Sequence, residues 1–116
     1  MTSMPTTAFA LHVPTAALVP DPLDPAQIVS GTPEVSALVL TGSAAGESGV
    51  WQITPGVATD VEADEVFTVL SGRATVEVEG GPTLELGPGV CGVLRAGDRT
   101  TWTVHETLRK VYTISY

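Results

Sequence analysis

From residue 34 to the end of the chain, short apolar or alternating runs are separated by glycine and proline, and no 3.6-residue periodicity persists. This pattern predicts an all-β protein. Strands are expected near "VSALVLT" (35–41), "GVWQIT" (49–54), "EVFTVL" (65–70), "RATVEVE" (73–79), "TLEL" (83–86), "VCGVL" (90–94), "RTTWTV" (99–104) and "LRKVYTIS" (108–115). Turn chemistry lies between them: "TPG" at 54–56, "SG" at 71–72, "GGP" at 80–82, "GPG" at 87–89 and "AGD" at 96–98. In "RATVEVE", Ala74, Val76 and Val78 share one face while Thr75, Glu77 and Glu79 share the other, so that strand has one wet face. "VFTVL" and "VCGVL" are almost continuously apolar, as strands covered on both faces are. Short strands at this spacing read as a sandwich or a barrel.

The first 33 residues follow another rule. Six of the nine prolines fall there, and "VPDPLDPAQ" spaces them too closely for a helix or a central strand. Residues 1–27 are expected to form an extended, proline-rich N-terminal arm. Its apolar residues (Phe9, Leu11, Val13, Leu18, Val19, Leu23) suggest packing along the domain or against a neighbouring subunit; a disordered start is the competing reading.

A chain of 116 residues suits one domain with a real core. Its residues are 43% hydrophobic and 16% charged, and the mean hydropathy is +0.27, so little charge is present to cover the surface. Part of that surface is expected to meet a second copy in a homodimer. The net charge is −8, and all five bases (Arg73, Arg95, Arg99, Arg109, Lys110) follow residue 72. No basic patch is visible, which argues against nucleic acid and anionic membranes as partners. No apolar run approaches the ~20 residues of a spanning helix, and the first twenty residues lack the basic start of a secretory signal. The protein is therefore expected in the cytoplasm, where the single Cys91 has no internal disulfide partner.

Candidate chemistry concentrates in "DVEADEVFTVLSGRATV" (60–76), where Asp60, Glu62, Asp64 and Glu65 crowd the start of an apolar run. Trp51, Trp102 and Tyr112 occupy alternating strand positions that either line a pocket or fill core and interface. Cys91 reads as a small core hydrophobe rather than a nucleophile. The "GPG" and "AGD" glycines precede no helix, so a phosphate-binding loop is not indicated.

The runs "GVWQITPG", "DEVFTVLSGRATV" and "LELGPGVCGVLRAGDRTTWTVHETLRKVYTISY", in that order, resemble the cupin superfamily, in particular the small single-domain cupins grouped with the cupin domain of ureidoglycine aminohydrolase. The resemblance covers about residues 28–116 and implies a double-stranded β-helix, or jelly-roll barrel. Cupins carry a first motif of glycine, two histidines one residue apart, a glutamate, six residues and a glycine. Gly56, Glu65, "VFTVLS" and Gly72 match it, but the histidine positions fall among Ala58, Thr59, Asp60 and Val61. The second motif, proline, any residue, glycine, two residues and histidine, here reads Arg95, Ala96, Gly97, Asp98, Arg99, Thr100. Val90 and Asp98 also depart from the nearer relatives, which have an aspartate and commonly an aromatic there.

Transition metals prefer imidazole or thiolate donors, about three of them in an open site. His12 and His105 lie at neither ligand position, so no histidine-ligated metal and no cofactor is expected. A carboxylate-only site from Asp60, Glu62 and Glu65 would hold such an ion weakly. The resemblance turns Glu65, Phe67 and Val69 toward the barrel interior, which makes Glu65 the candidate catalytic acid or base. The alternative is that Glu65 accepts a structural hydrogen bond from a neighbouring strand or from Arg95. Asp60, Glu62 and Asp64 read as a solvated strand start, with Glu62 also counted as a ligand-binding candidate beside Trp51, Phe67, Arg95, Trp102 and Tyr112. Arg95, at the rim, would pair with an anionic ligand or neutralise nearby acids.

Two functional readings follow. One is a metal-free cupin that binds a small polar organic molecule and acts on it through Glu65. The other is a non-catalytic binding, sensing or assembly module. The resemblance also implies a metal-dependent carbon–nitrogen hydrolase, whose usual ligands this chain lacks.

Overall fold

The computed structural model describes residues 4–116, so the first three residues of the expected arm lie outside the described residues. Nine strands form among the described residues: β1 (Val19–Pro20), β2 (Ile28–Gly31), β3 (Val35–Ser43), β4 (Gly46–Ile53), β5 (Gly56–Val61), β6 (Asp64–Val78), β7 (Thr83–Leu86), β8 (Cys91–Leu94) and β9 (Arg99–Ser115). All pair antiparallel, and the sheet curls into the expected jelly-roll barrel. Among the described residues, no helix is long and apolar enough to cross a membrane.

Two long strands make the barrel. The first half of β6 lies between β8 and the second half of β9, which continues through β4 and β3 to β1; the second half of β6 lies between β7 and the first half of β9, which continues through β5 to β2. The four runs "EVFTVL", "RATVEVE", "RTTWTV" and "LRKVYTIS" are thus two strands, each spanning both halves of the curled sheet. The turn expected at Ser71–Gly72 is instead a run of register shifts between Val69 and Ala74 that bends β6 without ending it. Gly72, at φ 88°, serves this bend: a Cβ there would come within 2.0 Å of the Thr107 carbonyl oxygen.

Alternation places the core. Glu65, Phe67 and Val69 point inward, as do Ala74 and Val76, and they meet Leu86, Leu94, Trp102, Val104, Leu108 and Tyr112. β8 is covered on one face only. Its inner positions are Gly92 and Leu94, and the Phe67 ring lies so close to Gly92 that a Cβ there would be 2.2 Å from the ring. Cys91 therefore points outward and is exposed, not buried as a core thiol. Val66 and Val93, register partners on the outer face, are also about half exposed, at 50% and 48%. The continuous apolar character of these two strands reflects an uncovered outer face, not burial on both sides.

The arm packs along its own domain. β1 pairs with the outer strand β3, and the Asp21 amide donates to the Val35 carbonyl at 2.9 Å. Arg109, on the outer face of β9, donates through Nη1 to the carbonyls of Val13 and Ala16 at 2.7 and 3.1 Å. Asp24 caps a short 3₁₀ turn (Pro25–Gln27), and the Gln27 side chain donates to the Thr59 carbonyl at 3.0 Å. These contacts bring Asp21 and Leu23 to the mouth of the barrel.

Candidate functional site

The barrel opens into a cavity of about 340 Å³, within the usual range for a small-ligand site. Trp51, Trp102 and Tyr112 form apolar walls, and carboxylates come from Asp21, Glu47, Asp60, Glu62 and Glu65. Among the described residues, Lys110 contributes the only basic side chain of the lining.

Glu65 and Lys110 face each other because β6 and β9 are neighbours and both residues have inward parity. Lys110 Nζ donates to Glu65 Oε2 at 2.6 Å, and both side chains are buried. The ammonium also lies 4.5, 4.4 and 5.0 Å from the ring centroids of Trp51, Phe67 and Trp102. A carboxylate and three π-faces together replace the water that burial removes from this cation. Of the two structural partners expected for Glu65, the neighbouring strand supplies the donor, and Arg95 does not.

Glu62 is held differently. Its backbone is pinned to the "AGD" turn: the Glu62 amide donates to the Asp98 carbonyl at 2.8 Å, and the Gly97 amide donates to the Glu62 carbonyl at 2.9 Å. Its side-chain Oε2 accepts from Thr100 Oγ1 at 2.6 Å and from Trp102 Nε1 at 3.1 Å. Glu62 is therefore a buried wall residue, which corrects its reading as part of a solvated strand start. Asp64 keeps that description: it is exposed and accepts from the Ala96 amide at 2.9 Å. Asp60, next to last in β5, stands at the cavity rim, and its pKa is pushed up from 3.8 to about 6, first by burial of its carboxyl and then by the negative charge of Glu62. Tyr112 donates to Glu47 at 2.8 Å, and burial with this bond raises its pKa above the ordinary tyrosine value.

The expected site residues thus separate. Glu65, Glu62, Trp51, Trp102 and Tyr112 line one cavity, and Phe67 forms the floor beneath the Lys110 ammonium. Arg95 is exposed outside the lining, in a turn whose backbone amide donates to Asp98 Oδ2 at 3.1 Å. Lys110 and Glu47 were not singled out from sequence. Leu108, Lys110 and Tyr112 share one parity, and that alternation is the signal that could have placed the lysine inside.

The donors do not suit the metal of better-known cupins. The positions that would carry the paired histidines lie on β5, where Ala58 is buried in the wall and Asp60 stands at the rim. An ion beside Glu65 would meet the Lys110 ammonium at hydrogen-bond range. Among the described residues, no three His, Cys, Asp or Glu side chains are grouped to hold one.

Residues 40–112 match the family model described as the EutQ-like cupin domain. No curated protein matches the chain. Among solved structures, a Pseudomonas syringae pv. tomato protein of unknown function is 26% identical with a TM-score of 0.77; the match covers 87% of this chain but only 45% of that protein's length. The Clostridium difficile EutQ protein aligns at a TM-score of 0.69 over 91% of this chain and 85% of its own, with 14% identity. The cupin domain of Schizosaccharomyces pombe Cnp3 aligns at 0.65 over 91% and 72%, also at 14% identity. At 14% identity these last two report the fold alone.

Proposed function

The chain belongs to the EutQ-like cupin domain family, and on that premise we propose that its barrel binds a small polar organic molecule without a histidine-ligated metal. One observation carries this reading: a cavity of about 340 Å³ sets aromatic walls beside carboxylates whose positions are fixed by β6, β9 and the "AGD" turn. An apolar wall with a few placed polar groups is the arrangement that orients a small ligand. Phe67 acts from below by holding the Lys110 ammonium, and Arg95 has no part in the contact.

Any proton transfer at this site falls to Asp60 rather than Glu65. Glu65 is committed to Lys110 at 2.6 Å, whereas Asp60, with a pKa of about 6, exchanges its proton near neutrality at the rim. The test is ligand-observed magnetic resonance on a library of small polar fragments. Several are expected to bind the wild type, and Trp51→Ala is expected to lose them while remaining folded. Retention of every fragment by that variant would remove the barrel as the binding site. Elemental analysis of protein purified without chelators is expected to show no stoichiometric transition metal. An exposed, unpaired Cys91 is consistent with a cytoplasmic setting.

A further inference from the structure

Glu62 and Glu65 are each more than nine-tenths buried, at 9% and 8% exposure. Each spends a single oxygen. Glu62 Oε2 takes both Thr100 and Trp102, and Glu65 Oε2 takes Lys110, while neither Oε1 has a hydrogen-bond partner among the described residues. No fully buried side-chain oxygen or nitrogen is left unpartnered in that same set. The two Oε1 atoms are therefore not sealed in the wall: they reach open space, and the space both residues line is the barrel cavity.

Charge and surface agree on what that space accepts. Asp21, Glu47 and Asp60 join the two glutamates in the lining, and the one ammonium opposing them is already bound to Glu65. The aromatic walls turn π-faces inward, and the chain's own ammonium, 4.4 to 5.0 Å from three ring centroids, shows that this interior stabilises an alkylammonium group. An anion would face five acids and no free cation.

From these observations we infer that the ligand of this barrel is a small organic cation with N–H donors, a primary alkylammonium, held by the free oxygens of Glu62 and Glu65 against Trp51 and Trp102. The inference rests on the proposed small-molecule function and narrows it to one chemical class. Asp60 at the rim reinforces it, because a ligand cation would relieve the negative field that disfavours its ionisation.

The experiment uses the full chain and three probes of one shape: cyclohexylammonium, cyclohexanol and cyclohexanecarboxylate. The chain has two tryptophans, Trp51 and Trp102, both in the wall, so intrinsic fluorescence reports on the site without a label. Cyclohexylammonium is expected to titrate this signal, with cyclohexanol about tenfold weaker or worse and the carboxylate silent, the tenfold step being the scale of one charge-assisted hydrogen bond. Glu62→Gln is expected to weaken the ammonium about tenfold while leaving the alcohol unchanged, with the circular dichroism spectrum confirming its fold. If the alcohol or the carboxylate binds as tightly as the ammonium, the cation class is wrong and the small-molecule site stands. If all three probes are silent into the high millimolar range while other fragments bind, the cation class again fails alone. If no fragment of any charge binds, both readings fall.

Discussion

The two faces of the first half of β6 invert the usual order. Inward, the strand presents Glu65 before Phe67 and Val69; outward, it presents Val66, half exposed, between Asp64 and Thr68. A charge stands inside and a branched apolar side chain outside. The inner face is bearable because Lys110, itself held over three rings, donates a tight hydrogen bond to the carboxylate. The outer face has no such account within one copy, since Val66 and Val93 meet water side by side. We propose that the inner face serves a ligand and the outer one association.

Breaking the inner pair should produce the largest effect. Lys110→Ala is expected to cost about 3–5 kcal/mol of unfolding free energy in urea, because Glu65 would remain buried and unpaired. The double replacement Lys110→Met with Glu65→Leu is expected to recover most of that loss. A cost near zero in the single variant would mean that the pair is not what makes an interior carboxylate tolerable. Next comes the floor on which the pair rests: Gly92→Ala drives a methyl into the Phe67 ring and is expected to cost about 1–3 kcal/mol, read as a lowered melting temperature.

At the rim the effect is smaller and depends on pH. Asp60 holds its proton more tightly in the fold, at about 6, than its ordinary 3.8, so the fold loses stability as pH rises from 3.8 through about 6. Glu62 and Glu65 raise that value after burial, while Lys110 and the Val61 amide lower it. Asp60→Asn is therefore expected to stabilise the protein at pH 8 by about 1 kcal/mol, discounted for solvent screening at the rim, and to change nothing below pH 3.8. An equal gain at both pH values would exclude the titration of Asp60 as its cause.

The outer face should matter least to the folding of one copy. We propose that it joins two copies in a homodimer, so light scattering of the wild type at micromolar concentration is expected to show a dimer. Val66→Lys is expected to shift it to monomer while altering monomer stability by less than about 0.5 kcal/mol. A monomeric wild type would refute this assignment and leave Val66 and Val93 an exposed pair of valines.

Much of the barrel was legible because alternation is local. The grouping of Glu65, Phe67 and Val69 on one face, that of Ala74 and Val76, and the strand Thr83–Leu86 follow from parity and turn residues, while the resemblance supplied the inward direction of the first set. What misled was continuity. An apolar run such as "VCGVL" looks the same whether a second layer covers it or not, and a Ser–Gly pair looks the same in a turn as in a bulge. β5 was missed because "GVATDV" is short and mixes small and acidic residues, yet it carries Asp60 to the cavity rim. Arg95 was expected at the rim by motif position, and that position could not tell which way its side chain would leave the turn.

Side-chain parity and the absence of paired histidines after Gly56 are properties of consecutive residues, and the sequence determined them before any folding was considered. Which acid meets which base was a tertiary decision. Glu65 and Lys110 are 45 residues apart, and only the pairing of β6 with β9 brings their tips to 2.6 Å. The physical reason is range: hydrogen bonding along a strand and the alternation of its faces act over a few residues, whereas the electrostatics of a buried site depends on whatever the closed barrel places opposite.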